Sequence, residues 1–353
     1  MTIRAKIIGA GGYGGVGITE LLLRHPKATV GVLVDVENVG STISSLYPHL
    51  TGFCDEVIVS PDDPKAIQPY DVVFLATPDG VGQKLAPEEL ARGTKVVDYS
   101  GDFRFNNPES YADYATRIGR EPKHASPQLL PEAVYGLAEL HRDQLTTKAR
   151  VVGNPGCFAV SCILGMGPAL KAKLVQPDGI ICDCKTGVSG AGKKPSPTFH
   201  YPSRYETMNA YKLAGHQHVC EVERELGMLY GNPLKITFTS QVVPLCRGIM
   251  STLYARLAKP LTEAEALEAY RSFYRPNGFV RVFPSTAPVV SLHVRGTNFC
   301  NVVVSVDART GMLRVVSYID NLVKGQAGSA LQNMNLIFGL DEKTGLDQPG
   351  IYP

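Results

Sequence analysis

The N-terminal part of the chain alternates short apolar runs with helical periods, in an order typical of a parallel sheet. Apolar runs cover residues 3–8, 29–34, 70–76 and 95–98, and each is followed by a turn with glycine, proline or serine. Between the first two runs, residues 18–24 place leucine and isoleucine at helical spacing. Strands that alternate with helices indicate βαβ units. The pattern therefore predicts an α/β domain built on a parallel sheet.

The pattern changes in the second half of the chain, where strand-like runs occur with fewer helices between them. These runs cover residues 179–185, 234–243, 251–257, 299–306 and 313–319. A helix is predicted after residue 157, and another over 262–274, where Thr262 and Glu265 form a capping box. Because most of these runs follow one another through turns, we expect a mixed, largely antiparallel sheet. The fold class is therefore α/β, with an α+β second domain.

The domain boundary is predicted from a change in composition near residue 153. Residues 105–150 are rich in proline and asparagine and predict a long irregular connection. A helix is expected over 318–338, and its first turns carry small residues that let another element pack closely. We predict a first domain of residues 1–153, completed by a C-terminal helix within 321–353, and a second domain of residues 154–320.

Composition and charge describe an ordinary globular protein and argue against several classes of function. Apolar residues make up 44% of the 353 positions, charged residues 19%, and the formal net charge is +2. Because there is no basic run and no basic patch interleaved with aromatic residues, we expect no nucleic-acid partner. No apolar run reaches the length of a membrane span, and the N-terminus enters a strand at once. We therefore expect neither a membrane anchor nor a signal peptide.

The eight cysteines are scattered through apolar segments without the regular spacing of a disulfide framework. This usage is typical of the reducing cytoplasm. Cys182 and Cys184 form a C-x-C pair, but no second pair completes a zinc site. We predict that both are core residues and that the protein has no metal site.

A glycine-rich turn follows the first predicted strand and opens a helix. Its residues are Gly9, Gly11, Gly12, Tyr13, Gly14 and Gly15. The glycines satisfy two registers at once, G-x-G-x-x-G and G-x-x-G-x-x-G. Bare backbone N–H groups at the start of a helix bind a pyrophosphate. Because the strand, the helix and a second strand are all present, the turn predicts a Rossmann-type dinucleotide site.

The residues after the second and third strands bear on the choice of cofactor. Asp35 and Glu37 follow the second strand, where an acidic side chain accepts hydrogen bonds from the adenosine ribose and repels a 2′-phosphate. Taken alone, these two acids favour NAD over NADP, unless Ser41 and backbone groups bind the 2′-phosphate. The alternative that Asp35 and Glu37 are simply solvated loop residues fits equally well. Thr77 and Pro78 lie in the turn after the third strand, which we expect beside the cofactor.

Cys157 lies where a turn, Asn154-Pro-Gly, passes into a helix. Unpaired N–H groups and the helix dipole at such a position favour the thiolate, which is the nucleophilic form of cysteine. A lone cysteine beside a turn is more often a small buried residue. Its role therefore depends on the other residues.

Arg104 and a pair of histidines are the other candidates for chemistry. Arg104, in the loop after the fourth strand, is suited to bind a phosphate group. If His216 and His218 lie on one helix, their side chains point about 200° apart, which makes a poor metal pair. His218 and Glu221 share a helix face, and a histidine oriented by a carboxylate is a natural acid or base near neutral pH. The alternative to a catalytic role is that both histidines are exposed residues at the start of a helix.

Taken together, these motifs resemble those of the N-acetyl-γ-glutamyl-phosphate reductases, arginine-pathway members of the aspartate-semialdehyde dehydrogenase superfamily. The resemblance covers nearly the whole length and is specific because all the motifs occur in the family's order. They are G-x-x-G-Y-x-G at 9–15, Tyr47–Leu50, Asp98–Arg104, Gly153–Cys157, Gly187–Lys193, Gly215–His218, Val243–Gly248 and Asp320–Gly325.

The resemblance implies a reaction in which a cysteine thioester is formed from an acyl phosphate and reduced by NADP(H). Cys157 would be the nucleophile and His218 the acid or base, with His216 as its rival and Glu221 beside it. The substrate would be bordered by Arg104, Asn154, Ser189, Tyr211 and Arg247. The cofactor would be bound by the glycine turn, Asp35, Ser41, Thr77, Pro78, Ser189, Gly190, Asn321 and Lys324. The second domain would also carry the contacts of a homo-oligomer, either a dimer or a tetramer.

Three departures and three alternatives accompany this interpretation. Asp35 and Glu37 stand where the family often has serine or threonine with a basic residue, Asp79 replaces a common histidine, and the histidine motif reads H-Q-H-V-C. The first alternative is a lysine-pathway aminoadipyl-phosphate reductase, which the Asn-Pro of residues 154–155 disfavours because those enzymes typically lack it. The second is aspartate-semialdehyde dehydrogenase, and the H-x-H motif argues against it. The third is a non-catalytic dinucleotide sensor, which would have lost the nucleophile or the base.

Overall fold

The computed structural model describes residues 2–275 and 278–352, which form two compact units. The first unit contains residues up to 155 and residues 326–348. The second contains residues 156–325 and the last described residues, 349–352. The chain therefore changes unit two residues later than predicted at the first crossing and five residues later at the second, and its C-terminal end lies in the second unit.

The first unit is built on a seven-stranded sheet in which every pair of neighbouring strands is parallel. The strands are β1 (Ile3–Ile8), β2 (Ala28–Val34), β3 (Ile58–Val59), β4 (Val72–Leu75), β5 (Lys95–Asp98), β6 (Ala133–Tyr135) and β7 (Val151–Gly153). They lie in the order β3-β2-β1-β4-β5-β7-β6. Its longer helices are α1 (Tyr13–Leu22), α3 (Gly82–Ala91) and α4 (Pro108–Arg117), with short α2 (Ile43–Leu46) and α5 (Ala138–His141). Two 3₁₀ turns cover Pro48–Leu50 and Pro127–Glu132.

The parallel arrangement explains why the candidate cofactor residues come together. All four residues of β4 are fully buried, as expected of a strand covered on both faces. Because the strands are parallel, the turns after β1, β2, β4 and β5 leave the sheet at one edge. The predicted Rossmann-type architecture is thus confirmed for this unit.

The prediction of an irregular connection over residues 105–150 is wrong, because the segment contains α4, β6 and α5. Asn107 caps α4 by accepting a 2.8 Å hydrogen bond from the Ser110 N–H, and Pro108 occupies the first helical position. The helix buries one stripe of side chains, Tyr111, Tyr114 and Ala115. Proline here starts a helix, whereas the proline-rich composition of the segment predicted irregular structure.

The second unit is built on a mixed seven-stranded sheet. Its strands are β8 (Ile180–Thr186), β9 (Asn209–Tyr211), β10 (Ile236–Val242), β11 (Ile249–Arg256), β12 (Val280–Pro284), β13 (Cys300–Asp307) and β14 (Met312–Ile319). Their order is β12-β13-β14-β11-β8-β10-β9, with parallel pairs only at β12–β13 and β8–β10. The helices are α6 (Cys157–Lys171), α7 (Tyr201–Arg204), α8 (His218–Tyr230) and α9 (Glu263–Tyr274), and 3₁₀ turns cover Val188–Ala191, Pro197–Phe199 and Ser291–Val294. The predicted mixed sheet is confirmed.

One face of this second sheet is covered by the helices α6 and α9, and among the described residues the side chains on the opposite face are more exposed. Gly165 of α6 packs on Leu253 of β11, and the Tyr270 hydroxyl of α9 donates to the Gly165 carbonyl at 2.7 Å. On β11 the covered residues are fully buried, and the residues between them are partly exposed. This alternation is typical of a sheet with one face in the core.

The C-terminal helix begins later than predicted. Residues 312–319 continue as strand β14, followed by a turn at Asp320, a π-helical turn (Val323–Ala327) and then α10 (Gly328–Ile337). The fully buried Asp320 carboxylate fixes this start by accepting hydrogen bonds from the N–H groups of Leu322 and Val323. The small residues of this segment allow close packing, since a Cβ on Gly17 of α1 would lie 3.3 Å from the Ala327 Cβ.

Candidate active site

The glycine-rich turn of the first unit is a tight loop that excludes side chains at two positions. Gly9 has a φ of +85°, and a Cβ there would lie 2.3 Å from the Ala76 carbonyl oxygen. A Cβ on Gly15 would lie 2.3 Å from the Gly9 carbonyl oxygen. Only glycine fits these contacts. The loop delivers the chain to the N-terminus of α1 at Tyr13, where the first-turn N–H groups have no partner within the helix.

Asp35 shapes this loop directly. Its Oδ2 accepts a 2.8 Å hydrogen bond from the Gly11 N–H, and its Oδ1 accepts from the N–H groups of Val36 and Glu37. The Tyr47 hydroxyl donates to the Gly11 carbonyl at 2.8 Å. Glu37 is exposed, and the backbone of Ser41 bonds to Ile58 and Asn38 in the same turn. No lysine or arginine occurs in the sequence from Asp35 to Pro64.

Three side chains from distant segments converge on Gly14, in the first turn of α1. A Cβ on Gly14 would lie 3.2 Å from Gln326 Nε2, 3.3 Å from Tyr99 Cδ2 and 3.4 Å from the Ala76 Cβ. The Tyr99 hydroxyl, Gln326 Oε1 and Thr77 Oγ1 are buried without a hydrogen-bond partner among residues 2–275 and 278–352. Buried polar atoms of this kind need a partner. The glycine-rich turn and these polar atoms therefore fit a bound dinucleotide, whose hydroxyl and amide groups would form hydrogen bonds with the polar atoms.

Arg104 is held in place by two backbone carbonyls. It is buried, and its Nε and Nη2 donate to the carbonyl oxygens of Asn154 and Tyr99 at 2.8 and 2.6 Å. Burial, and then the neighbouring Asp102, raise the pKa of Asp98 well above its usual range, although Arg104 opposes the rise. The loops after β5 and β7 therefore fix the guanidinium rigidly.

The Asn154 side chain connects two segments of the first unit by hydrogen bonds. Its side-chain N–H donates to the Gln326 carbonyl at 2.9 Å, and its Oδ1 accepts from Asn333 at 3.1 Å. The residue is almost fully buried. Its side chain thus ties the loop before Cys157 to the C-terminal segment.

Cys157 is the first residue of α6 in the second unit, and its side chain is partly exposed. Gly325 packs against it, since a Cβ on Gly325 would lie 2.7 Å from the Cys157 Cβ. Burial, and then the nearby Cys157, raise the pKa of Tyr211 above its usual range. The cysteine thus lies at a helix N-terminus with Gly325 against one side and Tyr211 nearby.

Gly156, the residue before Cys157, contacts both His218 and Glu221. Glu221 Oε2 accepts a 3.0 Å hydrogen bond from the Gly156 N–H. A Cβ on Gly156 would lie 2.4 Å from His218 Nε2 and 2.9 Å from Glu221 Oε1. The histidine and the carboxylate, one turn apart on α8, therefore lie directly against the loop that precedes Cys157.

His216 lies before α8, so the two histidines do not share a helix and the divergence of about 200° considered for that case does not apply. The two ring centroids are 4.8 Å apart, and His216 Nδ1 accepts a 3.1 Å hydrogen bond from the His218 N–H. The His216 ring packs among Phe158, Tyr211 and Phe238. Burial, and then His218, lower the pKa of His216 to about 2. The His216 ring is therefore neutral at physiological pH.

The remaining predicted residues of the second unit form one cluster around Asn321. The Asn321 amide donates to the Ser189 hydroxyl at 3.0 Å and accepts from the Gly248 N–H at 2.7 Å, and Gly190 lies beside it. Arg247 pairs with Asp320 at 3.1 Å and keeps about a third of its side chain exposed. Lys324 differs from these residues, because its side chain is fully buried with Nζ 5.6 Å from the Phe279 ring centroid.

Several residues that shape these sites were not predicted from the sequence. Tyr99 and Gln326 approach the glycine turn from distant segments, and Gly156 and Gly325 enclose Cys157. Both glycines lie in segments that the sequence marked as a turn or as rich in small residues, but the contacts that require glycine there, with the His218 and Glu221 side chains and with Cys157, were not predicted. Among the described residues, no group of three histidine, cysteine, aspartate or glutamate side chains could hold a metal ion. In the same part of the chain, no helix combines the length and the apolar character needed to span a bilayer.

Comparison with known proteins places the chain in a class. A family model described as the NAD binding domain of semialdehyde dehydrogenase matches residues 4–148, and one described as the dimerisation domain matches residues 157–321. Aspartate semialdehyde dehydrogenase II from Vibrio cholerae has a similar fold, with a TM-score of 0.71 at 16% identity over 96% of this chain and 99% of that one. The Candida albicans enzyme, solved with NADP, gives 0.63 at 15% identity over the same shares. The chain is an oxidoreductase of the semialdehyde dehydrogenase class.

The nearer relatives carry a more particular name. N-acetyl-γ-glutamyl-phosphate reductase from Citrifermentans bemidjiense is 41% identical over 99% of this chain and all of its own length. The Pelotomaculum thermopropionicum enzyme of the same name is 41% identical over the full length of both chains. The chain belongs to the N-acetyl-γ-glutamyl-phosphate reductase family, as its motifs predicted.

Proposed function

We propose that this protein reduces N-acetyl-γ-glutamyl phosphate to N-acetylglutamate semialdehyde and phosphate, a step of arginine biosynthesis, through a thioester on Cys157. The observation that carries the proposal is the contact of His218 and Glu221 with Gly156, immediately before a cysteine at a helix N-terminus. We also propose that the protein acts in the cytoplasm. All eight cysteines lie in the described residues and none is disulfide bonded, as in a reducing compartment.

The proposed roles of the residues follow the order of the reaction. The Cys157 thiolate attacks the acyl carbon, the carbon–oxygen bond to phosphate breaks, and phosphate leaves. The hydride that reduces the thioester carbonyl would come from the nicotinamide of a bound cofactor. His218 gives a proton to the developing oxyanion and takes it back as the carbon–sulfur bond breaks, which restores the thiolate. Glu221 positions His218 and the loop by holding the Gly156 N–H.

The substrate contacts are proposed from the resemblance and from how each side chain is mounted. Arg104 is rigidly held and would bind the departing phosphate. Arg247, oriented by Asp320, and Ser189, held by Asn321, would border the acyl chain together with Tyr211. Asn154 would act through the loop, since its own amide is engaged within the first unit.

The decisive experiment is the reverse assay with N-acetylglutamate semialdehyde, phosphate and an oxidised nucleotide. We expect nucleotide reduction that requires both other substrates. The control replaces N-acetylglutamate semialdehyde by aspartate semialdehyde. A clear preference for aspartate semialdehyde would assign that compound as the substrate of this protein. No nucleotide reduction with either aldehyde would contradict the proposed function.

The cofactor is a nicotinamide dinucleotide, and we propose NADP with NAD also accepted. Its contacts would be the glycine turn, Asp35, Ser41, Thr77 and Pro78, and at the nicotinamide end Ser189, Gly190, Asn321 and Lys324. The Asp35 carboxylate can accept hydrogen bonds from the ribose of NAD, while three backbone N–H groups partly offset its charge beside a 2′-phosphate.

Asp35→Ser should therefore raise the ratio of kcat/KM for NADP to that for NAD by about tenfold, because like-charge repulsion of the 2′-phosphate is removed. Steady-state assays with each nucleotide measure the ratio. Glu37→Gln is the matched control, since Glu37 is exposed and should change the ratio less. An unchanged ratio in Asp35→Ser would remove Asp35 from the adenosine site.

The matched dimerisation domain supports a homo-oligomer, and we propose a dimer or tetramer formed through the open face of the second sheet. Partly exposed apolar side chains from adjacent strands lie on this face: Ile181, Met250, Tyr254, Val316 and Tyr318. Patches of this kind mark protein interfaces.

Val316→Glu should shift the protein toward the monomer, because it buries a charge in the proposed interface. Light scattering coupled to size-exclusion chromatography measures the mass. Ser272→Glu, an exposed position on α9, is the control and should leave the mass unchanged. A stable oligomer in Val316→Glu would place the interface elsewhere.

A further inference from the structure

Arg204 is a buried arginine whose guanidinium is largely unsatisfied. It is the last residue of α7, and only 6% of its surface is exposed. Its Nη2 donates to the Thr207 carbonyl at 3.2 Å. Nε and Nη1, which carry three of the five N–H groups, find no acceptor in the described part of the chain. Nor does any described carboxylate lie within ion-pair distance of it.

Such an arrangement is costly unless a ligand completes it. A guanidinium does not lose its proton in proteins, so it cannot become neutral when it is buried. Buried charges in proteins are paired with an opposite charge or well hydrogen bonded. The donors of Arg204 therefore call for an oxygen anion that the described residues do not supply.

The position of Arg204 in the chain connects it to the candidate active site. It lies in the segment between β8 and β9, which begins with the Ser189 turn held by Asn321. The segment ends at Tyr211, whose pKa responds to Cys157 and whose ring centroid is 5.8 Å from that of His216. Both ends of the segment thus lie among candidate site residues of the second unit.

We infer that Arg204 binds the carboxylate of the substrate's glutamyl group. This inference rests on the proposed function. The acyl phosphate substrate carries two anionic groups, its phosphate and its carboxylate. The phosphate departs when the thioester forms, whereas the carboxylate stays on the molecule until the aldehyde is released. A buried guanidinium that must keep its counter-charge through both steps suits the carboxylate, and its planar donors match a carboxylate's planar acceptors.

The test compares Arg204→Gln with the wild-type protein in the reverse assay. The KM for N-acetylglutamate semialdehyde should rise about 10- to 100-fold, as expected for loss of charge-assisted hydrogen bonds, with smaller changes in kcat and in the KM for phosphate. Arg204→Lys should recover part of the affinity. Arg309→Gln, which removes an exposed arginine, is the control and should change neither constant.

A second substrate isolates the contact. An analogue of the semialdehyde with a carboxamide in place of the carboxylate should be a much poorer substrate for the wild-type protein. In Arg204→Gln the two substrates should differ far less. A discrimination as large as that of the wild-type protein would overturn the inference, and so would a rise confined to the KM for phosphate, which would assign Arg204 to the phosphate.

A stability measurement separates this inference from the proposed function. Without ligand, Arg204→Gln should melt at the same temperature as the wild-type protein or higher, because an uncompensated buried charge is removed. N-acetylglutamate should raise the melting temperature of the wild-type protein and not of the variant. If the reverse assay shows no turnover, the proposed function fails and this shift still tests Arg204. An equal shift in both proteins, or a variant that melts far below the wild type, would overturn the inference.

Discussion

Cys157→Ala should abolish reductase turnover and leave nucleotide binding intact. The thioester cannot form without the sulfur, and we expect kcat to fall by about a thousandfold or more. Nucleotide binding should survive because the glycine turn, Asp35 and the residues over Gly14 all belong to the first unit. Steady-state assays measure the first effect, and titration of the nucleotide by calorimetry measures the second.

Alkylation provides an independent readout of the same residue. Burial raises the pKa of Cys54 and of Cys184, so these thiols are expected to react slowly. Cys157 is partly exposed at the N-terminus of α6, and iodoacetamide should modify it ahead of the buried thiols, with loss of activity at the same rate. Cys54→Ala is the matched control and should keep full activity. Substantial turnover in Cys157→Ala, or alkylation of Cys157 without inactivation, would contradict the thioester mechanism.

The parts of the site that the sequence predicted are those encoded within a few neighbouring residues. The glycine turn is one of them, because a strand, a run of glycines and a helix must follow one another to make it. The start of α6 at Cys157 is another, since Asn154, Pro155 and Gly156 are local turn residues. His218 and Glu221 share a face because they are one helical turn apart. Each of these features depends only on spacing along the chain.

The parts that the sequence analysis missed depend on segments far apart in the chain. Gln326 reaches Gly14 only because the chain returns to the first unit after Gly325. The burial of Arg204 depends on how the segment between β8 and β9 folds back, and arginine is normally exposed. The sequence did not predict that His216 lies before the helix, with its ring accepting a hydrogen bond from the His218 N–H. Long-range packing decides these positions.

His218→Asn should cost far more activity than His216→Asn. General acid–base catalysis contributes about 10²- to 10⁴-fold, and asparagine at position 218 removes that group beside Gly156. Asparagine at position 216 can still accept the hydrogen bond from the residue 218 N–H, so we expect a loss of less than about tenfold. The measurement is kcat for each variant across a range of pH. Loss of the pH dependence in His218→Asn but not in His216→Asn would identify the group that titrates.

The pH dependence of stability provides the matching test for His216. Its pKa in the folded protein is about 2, against the usual 6.5 in the unfolded chain. Below about pH 6.5 the unfolded chain binds a proton that the folded protein does not, so the free energy of unfolding falls by about 1.4 kcal/mol per pH unit toward pH 2. Above pH 6.5 this cost is absent. His216→Asn should remove that slope between pH 6.5 and 4.5 in thermal or urea unfolding. A histidine that stays neutral down to about pH 2 cannot donate a proton at pH 7. If His216→Asn leaves the slope unchanged and also loses more activity than His218→Asn, then His216 is not such a histidine and would be the acid or base.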